Sequence, residues 1–307
     1  LKKVTLKAPA TIANFGPGFD IFALALKRPY DVIQIQETKS GPITINITGE
    51  SEPLPLDPKK NSAGVAAAAY FKATGRRAGC RIDIQKHIKP RAGLGTSGAS
   101  AAAAVYGLNK IFCDNMDADQ LIDIARQGEI ASGSTAHADN AAGCLLGGFI
   151  LIKNYSPLSI KKIKTPVIPF VLCAMKKKHL TTRGNIPSAF SLDRLTGQMS
   201  RAASVIHAIM TGDLKEMGRA VSTDFVSEPV RAQDITGYLQ LKKDIIDAGA
   251  YGCNISGGGS TVFAICPDEV RNKISRIMQD YLQKFQLDGE VIQTQSCNEG
   301  IKEIHGL

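Results

Sequence analysis

The chain has 307 residues, 44% of them hydrophobic, with 37 lysines and arginines against 28 aspartates and glutamates and no tryptophan. That length accommodates two domains or one large one around a sizeable core, and the pattern predicts neither a membrane span nor a secretory leader. The formal charge of +9 sits in short clusters such as Lys59-Lys60, Arg76-Arg77 and Lys176-Lys177-Lys178, without interleaved aromatics; this fits a solvated basic face and excludes nucleic acid as the expected partner.

Alternating stretches at Ile21–Leu26, Val32–Gln36 and Ile43–Ile47 predict an N-terminal antiparallel sheet. Asn61–Ala73 reads as an alanine-rich helix stopped by Gly75. Arg81–His87 alternates again and leads into a glycine loop, from which a helix runs to about Phe112. A further helix is expected from near Asp117 to Glu129, then a loop holding His137, Asp139 and Asn140, then the apolar strand Phe149–Ile152. After Tyr155-Ser156-Pro157 the pattern changes, and a boundary is expected between residues 153 and 166. Val167–Met175 reads as a buried strand and Leu192–Met210 as a helix ended near Gly212. An additional helical pair is expected between Asp213 and Ala248. Tyr251–Ile255 and Thr261–Cys266 read as short strands, Asp268–Phe285 as an amphipathic helix capped at Asp268, and Gly289–Thr294 as a final strand. The order strand–helix–strand–strand–helix–strand predicts a ferredoxin-like second half and an α+β fold class. Cysteines 80, 113, 144, 173, 253, 266 and 297 lie far apart with no Cys-x-x-Cys pair. They read as reduced, mostly buried thiols of a cytoplasmic protein.

Four blocks carry chemistry. Pro90-Arg91-Ala92-Gly93-Leu94-Gly95-Thr96-Ser97-Gly98-Ala99-Ser100 places Gly93 and Gly95 and the hydroxyls of Thr96 and Ser97 ahead of an alanine-rich run. Such a loop opens a helix whose unpaired N–H groups and dipole favour an anion. It is neither a Walker A loop nor a Rossmann fingerprint. At the N-terminus, Ala8-Pro9-Ala10-Thr11-Ile12-Ala13-Asn14-Phe15-Gly16-Pro17-Gly18-Phe19-Asp20 sets Asn14 and Asp20 on either side of a forced turn; alone, it would equally fit a surface turn bonded to its own backbone. A third block runs from Glu129 through His137-Ala138-Asp139-Asn140 to Gly147-Gly148, and a fourth is Ser256-Gly257-Gly258-Gly259-Ser260-Thr261-Val262-Phe263, which also suits a glycine hairpin.

Together these blocks resemble the GHMP kinases, and within them the homoserine kinases. The glycine loop matches Pro-x-x-x-Gly-Leu-Gly-Ser/Thr-Ser, the N-terminal block matches nearly residue for residue with Phe15 in place of a leucine, and His-Ala-Asp-Asn takes the homoserine kinase form. Arg183-Gly184-Asn185-Ile186-Pro187 and Pro229-Val230-Arg231-Ala232 resemble two further motifs. His179 stands where the family usually has a threonine, although Thr181 and Thr182 are near. The resemblance covers nearly the whole chain and weakens in the last forty or so residues. It implies a two-domain architecture: an N-terminal αβ domain (1–160) with a left-handed βαβ-type crossover and the phosphate loop, and a C-terminal ferredoxin-like domain (161–307).

The implied reaction is ATP-dependent phosphorylation of the side-chain hydroxyl of L-homoserine, a step of threonine biosynthesis. ATP would lie over Pro90–Ser100, with Asn61 and Ser62 at the adenine and Ser97 and Glu129 on Mg²⁺. Arg183 and Arg231 would take the substrate carboxylate, as guanidinium forks suit that group. Asp20 or Asp139 would take the ammonium, and Asn14, His137, Asn140 and Gly258 would complete the pocket. Asn14, Asn140 and Arg183 would join Ser97 and Glu129 as catalytic groups; no general base is assigned. A homodimer is implied as well. The alternatives are a GHMP kinase of another small alcohol, such as shikimate, pantoate or an inositol, and a non-catalytic nucleotide-binding sensor.

Overall fold

The computed structural model describes residues 2–38, 40–49, 53–132, 135–176 and 185–305. Its first sheet is built on one long strand, β2 (Phe22–Thr38). β1 (Lys3–Ala13) runs antiparallel along one edge of it. The other edge is shared: Val32–Thr38 pairs with β4 (Gly79–Gln85) and Phe22–Leu24 with β5 (Phe149–Tyr155). β3 (Thr44–Thr48) flanks β4, and β6 (Leu158–Ile163) flanks β5. The two stretches expected at Ile21–Leu26 and Val32–Gln36 are thus one strand, which carries through Pro29. β1 is an addition to the expected elements. Its alternation holds only from Lys3 to Lys7, and from Ala8 onward the strand is buried on both faces; Pro9 falls where the register shifts, a place that tolerates a missing N–H.

β3 and β4 are parallel and are joined through α1 (Ser62–Thr74), since a parallel pair needs a crossover. Asn61, expected as the first helical residue, instead caps α1 by accepting the Ala63 N–H; Gly75 ends the helix in the left-handed conformation, as the sequence predicts. α2 (Thr96–Phe112) packs against α1, β1 and β2. Its small residues allow that approach: a Cβ on Gly107 would lie 2.6 Å from the Ile35 side chain.

Two expectations need correction here. The helix begun at Asp117, α3 (Ala118–Ala125), gives way to a 3₁₀ turn over Arg126–Ser132, so Glu129 sits in that turn and not at a helix end. Close packing explains the change, because a Cβ on Gly128 would lie 2.5 Å from the Ser62 carbonyl oxygen. Asp139 and Asn140 open α4 (Asp139–Leu146) rather than lying in a loop. Their polar side chains suit a first turn, where N–H groups are unpaired.

In the second half, β7 (Pro169–Met175), β8 (Gly252–Ile255), β9 (Val262–Ile265) and β10 (Gly289–Gln295) form an antiparallel sheet in the order β10–β7–β9–β8. This is the expected ferredoxin-like arrangement. α5 (Leu192–Thr211), α6 (Leu214–Val221), the single turn α7 (Glu228–Arg231) and α8 (Tyr238–Asp247) link β7 to β8. α9 (Asp268–Lys284) links β9 to β10. Pro267, not Asp268, takes the cap position of α9; Asp268 lies in the first turn, where its charge suits the helix dipole. The expected boundary at 160/161 falls within β6, and beyond β10 the chain returns to the first sheet, where β11 (Lys302–Glu303) pairs with β1.

One core joins the two sheets, and a second packs the other face of the second sheet against α8 and α9. Phe15 stacks on Phe263 with ring centroids 5.7 Å apart and meets Phe149 and Phe170 edge-on. It therefore joins the turn after β1 to both sheets. Five of the seven cysteines, Cys80, Cys144, Cys173, Cys253 and Cys266, are buried, as their apolar contexts predict. Phe15→Ala should lower unfolding free energy by about 3–5 kcal/mol, whereas Phe15→Leu, a milder change of shape, should cost less than about 1.5 kcal/mol. Urea denaturation checks both, and equal losses would contradict the stacking described.

Candidate active site

The glycine loop between β4 and α2 turns on three left-handed residues, Arg91, Gly93 and Gly95. The glycines also permit close approach. A Cβ on Gly93 would lie 2.6 Å from the Ser256 carbonyl oxygen, and one on Gly95 would lie 2.1 Å from Thr11 Oγ1. The loop is tied to both halves of the molecule. Thr11 N–H donates to the Leu94 carbonyl, while Thr261 N–H and Ser256 Oγ donate to the carbonyls of Ala92 and Gly93. Above the loop opens a cleft of about 460 Å³, lined among others by Asn61, Lys86, Gly95, Ser97, Glu129 and Gly258. The first turn of α2 faces it, and unpaired N–H groups at a helix start attract an anion.

The expected nucleotide residues divide by position. Ser62, Pro90, Arg91, Gly93, Thr96, Gly98 and Ser100 line the cleft with Asn61, Gly95 and Ser97. Ala92, Leu94 and Ala99 turn their side chains into the hydrophobic core. Asn61 uses both ends of its amide in capping α1, accepting from Ala63 N–H and donating to the Pro55 carbonyl at 2.8 Å.

Beneath the loop lies an ion pair that the sequence analysis missed. Lys86 Nζ is 2.7 Å from Asp31 Oδ2. It also donates to Thr96 Oγ1 at 2.7 Å and to Ser100 Oγ at 2.8 Å. The other carboxylate oxygen, Oδ1, accepts the backbone N–H groups of His87 and Ile88. Asp31 is 0% exposed and Lys86 5%. The hydroxyl of Thr96 is thus drawn inward, while Ser97 faces the cleft.

Glu129 enters the same cleft from the 3₁₀ turn, with its Oε1 buried. Burial, and secondarily the negative charge of Asp139, push its carboxyl up from the ordinary 4.5 to about 8. A carboxylate in such a place gains from a cation beside it.

The remaining residues gather next to the loop. Asn140 accepts from Thr11 Oγ1 at 2.7 Å and packs against the glycine loop and the start of α2, since a Cβ on Gly98 would lie 2.7 Å from the Asn140 Cβ. Asp139 is buried and accepts the Asn140 N–H. His137 Nδ1 stands 3.6 Å from Asp20 Oδ1, and Nε2 of the same ring bonds Thr135 Oγ1. Tyr155, also absent from the expected set, donates to the Asp20 carbonyl at 2.7 Å and packs edge-on to His137. Asn14, Phe15 and Asp20 all adopt positive φ, so the turn between them is held under strain. Asn14 Oδ1 accepts the Asp20 N–H, and its Nδ2 is buried with no hydrogen-bond partner among the described residues. Arg231, 6% exposed, lies over the Phe19 ring. Gly258 lines the cleft from the hairpin between β8 and β9, where an added Cβ would meet no atom within 4 Å, so that block is both a hairpin and a wall of the cleft. Arg183, with His179, Thr181 and Thr182, lies outside the described residues.

Family models agree with this geometry: residues 61–148 match the GHMP kinases N terminal domain and residues 205–284 the GHMP kinases C terminal domain. A homoserine kinase of Methanococcus vannielii is 37% identical over 91% of this chain and 93% of its own. One of Haloarcula marismortui is 36% identical over 95% and 97%. The chain belongs to the homoserine kinase branch of the GHMP kinases. The crystal structure of homoserine kinase from Cytophaga hutchinsonii superposes on this GHMP kinase with a TM-score of 0.90 at 30% identity, covering 99% of this chain and 98% of that one.

The buried carboxyl of Glu129 makes the stability of this GHMP kinase depend on pH. Its folded-state value of about 8 exceeds the ordinary 4.5, so between the two the folded chain binds more protons than the unfolded one. Its contribution is fully present below pH 4.5 and is lost as pH rises to about 8. Melting temperatures of the ligand-free protein measured across that window should fall more with pH than those of Glu129→Gln. Parallel curves would contradict the burial of this acid.

Proposed function

We propose that the protein transfers the γ-phosphoryl group of ATP to the side-chain hydroxyl of L-homoserine, releasing ADP and O-phospho-L-homoserine. The observation that carries this is the position of Asn140. It packs against Gly95 and Gly98 of the glycine loop; Asp139 adjoins it in the chain, and His137, which stands 3.6 Å from Asp20, precedes it by three residues. Groups suited to an amino acid therefore border the place where the terminal phosphate of a bound nucleotide would lie. Phosphoryl transfer asks little covalent chemistry of a protein, so positioning and charge neutralisation carry the rate.

In this reading the N–H groups at the start of α2 take the phosphates. Arg231 takes the substrate carboxylate, with Arg183 as its expected partner. Asp20 or Asp139 takes the ammonium. Nδ2 of buried Asn14, which has no partner among the described residues, would donate to a substrate oxygen. Ser97 and Glu129 would hold Mg²⁺. No cluster of three or more metal-binding side chains stands among the described residues; two protein ligands suit an ion that draws the rest of its shell from phosphate oxygens and water. When bound, the ion neutralises charge on the phosphates.

Two further assignments belong to the same reading. Free thiols throughout, five of them buried, suit a reducing cytoplasm. α5 exposes Leu192, Leu195 and Met199 at a spacing that forms one apolar stripe, suited to a second copy in a homodimer.

The test is ADP release from Mg-ATP with L-homoserine, L-serine, shikimate, pantoate, mevalonate and myo-inositol. Homoserine alone should give a strong signal. A carboxylate without an ammonium group acting equally well would remove the role given to Asp20 and Asp139, and ATP binding with silence across the panel would favour the sensor. Glu129→Gln should lower kcat by ~100-fold or more, the scale at which loss of one electrostatic partner of a transition state is felt. Homoserine binding without ATP should hardly change. Unchanged turnover would contradict the metal role.

A further inference from the structure

Arg231 is held by a chain of hydrogen bonds that begins at the Asn14–Asp20 turn and is closed back onto that turn by a cation–π contact with Phe19. From Gln198 on α5, Nε2 donates to the Pro17 carbonyl at 2.6 Å and to Asp224 Oδ1 at 2.9 Å. Its Oε1 accepts the Phe225 N–H at 2.7 Å, so the orientation of the amide is fixed on all sides. Asp224 lies between α6 and α7. It accepts the N–H groups of Val226, Ser227 and Glu228, and the hydroxyl of Ser227. Ser227 Oγ, having given its proton to Asp224, accepts from Arg231 Nη1 at 3.0 Å. The guanidinium then lies with its carbon 5.6 Å from the centre of the Phe19 ring, and Phe19 is two residues from Pro17. Every polar member is nearly dry: Gln198 is 9% exposed, Asp224 5%, Ser227 2% and Arg231 6%.

We propose that Asp224 is a positioning residue for amino-acid recognition, acting through Ser227 on Arg231 and through Gln198 on the Asn14–Asp20 turn. The proposal rests on the reading of Arg231 as the carboxylate ligand. Asp224 itself touches no substrate. Its acceptor-only carboxylate forces the Ser227 proton toward itself and leaves a lone pair for the guanidinium. The same carboxylate holds the Gln198 amide that pins Pro17. The carboxylate-binding arginine and the turn carrying Asn14 and Asp20 are thereby set at one fixed spacing, which selects an acceptor whose carboxylate and ammonium share a carbon. An asparagine at 224 would put N–H groups where the Ser227 hydroxyl and the Glu228 N–H need an acceptor, or where Gln198 does, and the circuit would open.

The decisive comparison uses L-homoserine and 3-aminopropan-1-ol, which differ only in the carboxylate, with the wild type, Asp224→Asn and Ser227→Ala. In the wild type, kcat/KM should favour homoserine strongly. In Asp224→Asn that preference should fall tenfold or more, through a raised KM for homoserine, with the KM for ATP within twofold. Ser227→Ala, a small change that keeps Asp224 in place, should shift the preference the same way by a lesser amount. It supplies the test if Asp224→Asn fails to fold. Equal losses for both alcohols and for ATP would mean a merely structural role and overturn the proposal, as would an unchanged preference in both variants. A wild type inactive on homoserine would instead overturn the substrate reading, and this proposal with it.

Discussion

The glycine loop and the candidate active site around it rest on the buried pair of Asp31 and Lys86. Two opposite charges taken out of water are costly unless each is fully bonded. Here both are: Asp31 accepts from Lys86 and from two backbone N–H groups, and Lys86 reaches two hydroxyls in the first turn of α2. The consequence is mechanical. β2, β4 and the start of α2 are locked at a single point directly under the glycine loop. The loop can then hold its left-handed residues and present N–H groups upward at fixed positions. Those groups are worth most when they need no rearrangement on binding.

A second constraint comes from the other domain. The hairpin between β8 and β9 presses on Gly93, and Phe263 stacks on Phe15. The glycine loop and the Asn14–Asp20 turn are therefore each held from two directions, by the first sheet below and by the ferredoxin-like half beside them. The proposed acceptor and nucleotide sites would meet where the two halves touch, with groups from both halves lining the cleft. The tail beyond β10 reinforces the arrangement by returning to pair with β1.

Much of this was legible in the sequence where the signal is local. The stop at Gly75 and the loop-led helix follow from adjacent residues, and so does the ferredoxin-like order. β1 was hidden because its second half is buried on both faces and so loses its alternation, and β6 because it is half-exposed with little apolar contrast. Asp31 and Lys86 did carry a signal. Asp31 shares the inward face of β2 with Ile33 and Ile35, and Lys86 continues the inward series of Ile82 and Ile84. A charge at an inward position calls for an opposite charge nearby. Gln198 and Asp224 carried none, since their partners at Pro17 and Arg231 meet them only through tertiary packing.

The most direct measurement is the affinity for ATP of Asp31→Asn by calorimetry, against the wild type. Coulomb's law alone, acting on a tetra-anionic nucleotide, predicts tighter binding once a nearby negative charge is removed. If the pair instead shapes the loop, losing the anchor of Lys86 should weaken binding, by about tenfold for a loss near 1.4 kcal/mol. Affinity equal to or greater than that of the wild type would contradict the role given to the pair.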